Sequence, residues 1–258
     1  TIRNRMTKLN GGTPISDGPF RNGSMYLTYT NEGMPIGAFW GYKTDGLIQT
    51  QEQLNAVKRA DFQPNAELGD VLFVDTNGDG KLDSSDRCMI GNPIPDIIYG
   101  INMGMAWKGF DLNLQFGGTI GNQIFNAMRY YTYFPNDITN KDRALMNYWT
   151  PNNTNTDIPR LTATDVNDND RFSDMYVENG TYFRLRNAQL GYTLPASLTQ
   201  RIKLQKVRFY VSGQNLFTIS SYSGMDPEVG QSSSLSRGID YGIYPQNISF
   251  TGGINVTF

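Results

Sequence analysis

The 258-residue chain balances 22 Lys and Arg against 24 Asp and Glu, for a net charge of -2 and a pI near 5.2, with no basic stripe, which argues against a nucleic-acid partner. Hydrophobic residues make up 38%, mean hydropathy is -0.45, and no apolar run approaches the roughly 18 residues of a membrane helix. That excludes a helical membrane protein and leaves a β-barrel open, because alternation halves the apolar signal. The single cysteine, Cys88, forbids an internal disulfide.

In chain order, residues 1–9 have the pattern of a strand end. Residues 10–95 are rich in Gly, Pro, Asn and Asp, with strand-like pieces at 25–30 and 38–43, and read as one long connection. Inside it, residues 75–86 fit the twelve-residue calcium loop: Asp75, Asn77 and Asp79 at positions 1, 3 and 5, Gly80 at the turn, the Lys81 carbonyl at 7, Asp83 at 9 and Asp86 at 12. Calcium takes hard oxygen ligands, and alternate side chains on a tight loop supply them. Position 12 departs from the pattern, since Asp is shorter than the usual bidentate Glu. The competing reading is a metal-free loop held by its own Asx turns.

Residues 97–117 alternate with period two. Ile97, Tyr99, Ile101, Met103, Met105 and Trp107, then Phe110, Leu112, Leu114 and Phe116, share one face across a Lys108-Gly109 turn. The pairing expected is Trp107 with Phe110, Met105 with Leu112, Met103 with Leu114 and Ile101 with Phe116. Each arm has the roughly 9 to 11 residues of a tilted membrane strand. From this hairpin alone, a barrel strand pair and an antiparallel sandwich fit equally well.

Residues 118–181 read as a second long loop, with helices expected at 122–133 and near 141–149. Its aromatic residues Tyr130, Tyr131, Tyr133, Phe134 and Trp149 are candidate stacking platforms for a sugar or peptide, as is Trp40 in the first loop, although such residues more often pack a loop onto itself. Residues 183–217 form a strand pair, with a bulge expected between Arg186 and Ala188 and a short polar link at 196–206. A third long loop covers 218–247, and 248–258 alternates to a final aromatic, Phe258. Short and long connections therefore alternate strictly, as periplasmic turns and extracellular loops do in membrane barrels, and no sandwich rule asks for that.

These residues also carry a family likeness. Gly69-Asp70, the 75–87 run, Ile90-Gly-Asn-Pro-Ile-Pro-Asp96, Asp157-Ile-Pro-Arg-Leu161, Leu190-Gly-Tyr-Thr-Leu-Pro195, Tyr210-Val-Ser-Gly-Gln-Asn-Leu-Phe217, Asp226-Pro-Glu228 and Phe258 are among those that carry it. The chain resembles the C-terminal part of SusC/RagA-type TonB-linked outer-membrane transporters of the Bacteroidetes. The resemblance implies an all-β membrane protein: a 22-stranded transmembrane antiparallel barrel with long extracellular loops and short periplasmic turns. It further implies a plug, a TonB box, a SusD-like surface lipoprotein as partner, TonB-dependent import of oligosaccharides or peptides, and Phe258 as part of an assembly signal. Plug and TonB box are not on this chain, so the expectation is a piece of a longer protein or a chain completed by a companion. The alternative is a calcium-stabilised cell-surface β-rich binding module. An enzyme is not expected: the chain has no His and Cys88 lacks a partner base.

Overall fold

The computed structural model describes residues 5–9, 11–20, 25–133, 140–230 and 233–258. In chain order the elements are β1 (Ile15–Phe20), β2 (Met25–Thr30), β3 (Ala38–Gly41), β4 (Thr44–Leu47), α1 (Gln51–Arg59), β5 (Val71–Phe73), β6 (Cys88–Gly91), β7 (Ile97–Trp107), β8 (Phe110–Ile120), β9 (Gln123–Asn126), α2 (Ala127–Tyr133), β10 (Val177–Asn179), β11 (Tyr182–Thr193), α3 (Ala196–Thr199), β12 (Lys206–Ser220), β13 (Ile239–Asp240) and β14 (Ser249–Thr257).

The five longest strands form one antiparallel sheet in the order β14-β12-β11-β8-β7. Its β7–β8 turn has positive φ at both central residues, 46° at Lys108 and 89° at Gly109, the type I′ geometry whose twist matches a two-residue hairpin. A side chain at Gly109 would bring its Cβ to 2.8 Å from the Thr193 carbonyl oxygen, so this position needs glycine for space as well as for φ. The turn sets the register, and all four expected pairs form. The bulge on β11 falls between Leu185 and Asn187, one residue earlier than expected, and leaves Arg186 as the extra residue. Residues 5–9 form no strand; the rest of the expected strand end lies outside the described residues, as does Phe134.

The long connections are more ordered than their composition suggests. Residues 10–95 contain a four-stranded sheet, β1-β2-β3-β6, the β4-β5 pair, and α1, which Thr50 and Gln53 close with a capping box. The helix expected at 122–133 is shortened to α2, because residues 123–126 pair with β10 and, in parallel, with β13 from a different loop. Near 141–149 the chain forms a 3-10 turn, Arg143–Asn147.

The hydrophobic cores lie among these connections. The largest cluster takes Phe20, Leu27 and Phe39 from residues 10–95, Phe125, Ala127, Tyr130, Phe172 and Tyr176 from 118–181, and Ile239 from 218–247. Two further clusters, around Trp149 and around Ile48, are also built from loop residues. None of the three contains a residue of the five long strands. No helix among the described residues is long and apolar enough to cross a membrane.

Candidate functional site

Strand register stacks the outward side chains of the large sheet in rows. At the end with the short turns, Trp107, Phe110, Tyr192, Phe209 and Ile254 stand opposite one another across all five strands, the rings of Phe110 and Tyr192 4.5 Å apart. The next rows are aliphatic or small: Met105, Leu112, Leu190, Val211 and Gly252, then Met103, Leu114, Ala188, Gly213 and Phe250. At the loop end a second aromatic group closes the band, with Phe183 stacked on Phe116 at 5.2 Å and on Tyr99 at 6.4 Å. From Tyr99 to Trp107 the strand rises ~26 Å at ~3.3 Å per residue, or ~20 Å along the normal at a tilt of ~40°. An apolar band between two aromatic girdles is how a strand face meets a bilayer.

Nothing among the described residues covers this face. Met103 is 57% exposed, Met105 66%, Val211 60% and Phe250 79%. A sandwich would hide these side chains against a second sheet, and each left in water forfeits ~1.5–3 kcal/mol. Hydrocarbon removes that deficit.

The opposite face is polar or small. Arg208 donates to both carboxylate oxygens of Asp111, at 2.9 and 2.5 Å, and lies flat over Gly191, where a Cβ would sit 2.4 Å from its guanidinium. Around them on this face are Asn102, Gly104, Asn113, Gln115, Tyr210 and Ser212, a surface that suits water.

All long connections emerge at one end of the sheet, and the third is tied to it there by buried charge. Arg184 of β11, 2% exposed, donates from Nε to the Thr218 hydroxyl at 2.8 Å, from one terminal nitrogen to Asp226 at 2.6 Å and from the other to Glu228 at 3.0 Å. Arg186 adds a 3.0 Å ion pair to Glu228. Burial pushes the Asp226 carboxyl up, but the backbone N–H groups of Gln246 and Glu228 and the Arg184 guanidinium outweigh it and hold the group below the usual Asp value. A second buried knot ties 167–169 to β5. Asp70 accepts from Arg160 at 2.6 Å and from Asn169 at 3.0 Å, while Gln63 bonds both the Val71 carbonyl and Asn167.

In the 75–86 loop, Asp75 accepts from the N–H groups of Gly78 and Gly80, Asn77 from Asp79, Asp79 from Lys81, and Asp83 from Ser85. The Gly80 N–H, with those of Gly78 and Asp79, draws the Asp75 carboxyl below its ordinary value, and the Ser85 N–H does the same for Asp83. Asp86 is buried and accepts from Thr76 and Asp83. The donor atoms are hard oxygens that keep lone pairs beyond these bonds. Among the described residues, however, no three acidic, His or Cys side chains converge on one point. The loop therefore has its Asx-turn form, and the fit to calcium is partial.

The candidate stacking residues divide. Tyr130 and Trp149 are 4% and 6% exposed and belong to core clusters. Trp149 also donates from Nε1 to the Gln49 side chain at 2.8 Å. These two are corrected: their rings fill loop cores and present no free face. Trp40 is half-buried and stacks on Tyr29 at 4.5 Å, and Tyr131 is half-buried against the largest cluster. Phe258 is 84% exposed at the end of β14. Sequence reasoning missed Arg184, whose burial depends on carboxylates 42 residues and more downstream; the Asp226-Pro-Glu228 motif was the available signal.

No family model matches the chain. It is 37% identical to the TonB-dependent receptor P3 of Formosa agariphila over 268 residues, which cover 99% of this chain and 26% of that protein. It is 29% identical to the TonB-dependent receptor SusC of Bacteroides thetaiotaomicron over 198 residues, or 76% of this chain and 18% of SusC. Among solved structures it is similar to the RagAB peptide importer in its open-open state, with a TM-score of 0.70 at 25% identity over 98% of this chain and 25% of the other. Another structure of the RagAB peptide transporter gives a TM-score of 0.69 at 25% identity over 95% of this chain and 24% of the other. The chain thus spans about a quarter of the length of the first of these relatives and of the RagAB chains.

Proposed function

The chain belongs to the SusC/RagA-type TonB-dependent receptors, and from that premise we propose that it forms part of the wall and outer loops of an outer-membrane importer in a Gram-negative bacterium. The observation that carries the reading is the exposed apolar band between two aromatic rows, backed by a polar face. In this reading the band meets lipid, the Asp111–Arg208 face lines a wet lumen, and the loops at 10–95, 118–181 and 218–247 stand outside the cell. The rest of a 22-stranded barrel, the plug and the TonB box come from the remainder of the protein or a companion chain. Import is driven through the TonB complex, with a SusD-like lipoprotein over the loops and Phe258 in the assembly signal.

The cargo proposed is an oligosaccharide or a peptide, with Trp40 and Tyr131 as the contacts retained from the sequence. Peptide cargo draws support from the likeness to the RagAB peptide importer, and oligosaccharide cargo is carried over from the family resemblance of the sequence; both are arms of the test. Calcium enters as a stiffener of the first loop, bound by Asp75, Asn77, Asp79, the Lys81 carbonyl, Asp83 and Asp86. No catalytic role is proposed. The binding-module alternative needed its apolar faces buried, and no observation favours it.

The deciding experiment expresses the full-length protein, fractionates membranes and identifies what co-purifies. The expected result is an outer-membrane protein that needs detergent and brings a surface lipoprotein with it. Soluble, monodisperse protein without detergent would overturn the proposal.

A further inference from the structure

The short-turn end of the sheet has a charge pattern that import does not use. The aromatic row Trp107–Phe110–Tyr192–Phe209 marks where the apolar band stops. Just beyond it lie Lys108, in the β7–β8 turn, and Arg201 and Lys203, in the β11–β12 connection, all three exposed and without an ion-pair partner among the described residues. The Lys108 ammonium sits 4.9 Å from the centre of the outward Trp107 ring, so it is held on the lipid side of the rim. Lys203 has φ 59°, which caps the 3-10 turn Gln200–Ile202 and fixes where its side chain leaves the backbone. Among the described residues the one acidic side chain at this end is Asp111, on the opposite face and already bonded to Arg208. Leu198, 50% exposed on α3, adds an apolar contact beside these cations.

We propose that this rim binds anionic phospholipid: Lys108, Arg201 and Lys203 take up headgroup phosphates of the leaflet that the short turns reach, while Trp107, Phe110 and Leu198 seat in the acyl boundary. Charge complementarity selects the occupant. Unpaired cations bordering an aromatic girdle attract negative headgroups within about a Debye length, whereas an acidic protein partner would have to displace lipid from the same girdle. The inference rests on the membrane reading above, but it fails separately from it.

The test reconstitutes the full-length protein in nanodiscs of phosphatidylcholine with about one-tenth phosphatidylglycerol and reads, by native mass spectrometry, which lipids stay bound. Phosphatidylglycerol is expected to be retained in excess over its share. A K108Q/R201Q/K203Q variant should lose that preference, by up to about fivefold per cation at low salt, and about 1 M salt should abolish it in the parent. K58Q/R59Q, on α1 among the loops, should leave it unchanged. Normal insertion with equal lipid retention in parent and triple variant would overturn the inference and spare the import reading. Failure to insert at all would instead overturn the membrane reading.

Discussion

The five-stranded sheet and the loop body above it solve the same problem in opposite ways. The loops carry low-hydrophobicity, Gly- and Asn-rich sequence, yet they contain every residue of the three buried clusters. The sheet carries the most regular apolar pattern in the chain and turns it outward, with Met105 and Trp107 each 66% exposed. A hydrophobic stripe therefore identifies which side of an element avoids water, and the solvent on that side decides whether the stripe becomes core or coat. Here three connections assemble into a protein interior, while the outward face of the strands stays bare among the described residues.

The largest expected effect tests the join between the two regions. Removing Arg184 leaves Asp226, 4% exposed, without its cation, and breaking a buried pair from one side costs about 3–5 kcal/mol. Arg184→Ala should therefore detach the 218–247 loop while the wall still assembles. Hydrogen exchange at the Glu228 and Gln246 amides, both bonded to Asp226, would read it. Arg184→Met with Asp226→Leu should recover much of the loss, since it leaves no buried charge alone. The same join has a pH signature. The Asp226 carboxyl titrates below its unfolded value, so its contribution is fully present above about pH 4 and is lost as pH falls through the lower, folded value. Loop protection should fall in that acid range in the parent and show less change there in Arg184→Ala.

Next comes the outward face. Met103 lies midway between the Tyr99 and Trp107 positions, and an Arg at the midplane of a lipid-facing strand costs about 2–4 kcal/mol. Met103→Arg should lower the folded fraction in lipid vesicles, whereas Asn113→Arg, on the other face of the same hairpin, should change it little. Equal penalties at the two sites would remove the distinction between coat and lumen, and with it the proposed orientation of the wall.

The same contrast explains what could be read in advance. The hairpin was legible down to its register, because a period of two and a Lys-Gly turn are local signals that agree. The β11 bulge was legible to within one residue for the same reason. Of the β1-β2-β3-β6 sheet, the strand pieces at 25–30 and 38–43 were legible as β2 and β3, but its closure was not, since β3 pairs with β6 across more than 40 residues of chain and no local pattern encodes that. Residues 123–126 looked helical until β10 and β13 claimed them, a tertiary override of local preference. Tyr130 and Trp149 looked like ligand platforms because aromatic residues in polar loops stand out; their neighbours in space, Phe172 and Phe62, are far away in sequence. Thr50 and Gln53 close α1 with a capping box inside a stretch whose Gly, Pro, Asn and Asp content reads as one irregular connection. Thr50→Ala should remove that cap at a cost of about 1 kcal/mol, seen as faster exchange over α1 alone, with the wall untouched.

The smallest effect belongs to the 75–86 loop and asks whether the loop body is complete without an ion. Its carboxylates are already satisfied by N–H groups, and Asp86 stands where a bidentate Glu would bind best, so the proposed affinity lies at the weak end, a Kd of about 10⁻³ M. At about 2 mM calcium such a site adds only about 0.7 kcal/mol to whatever unit contains it. The gain should appear as slower exchange at the Gly80 and Lys81 amides of the parent and vanish in Asp75→Ala and Asp79→Ala. The wall should not respond, because the loop contributes no residue to it. Identical exchange with and without the ion would leave the Asx turns sufficient by themselves and would retire calcium from the proposal, with the membrane assignment unaffected.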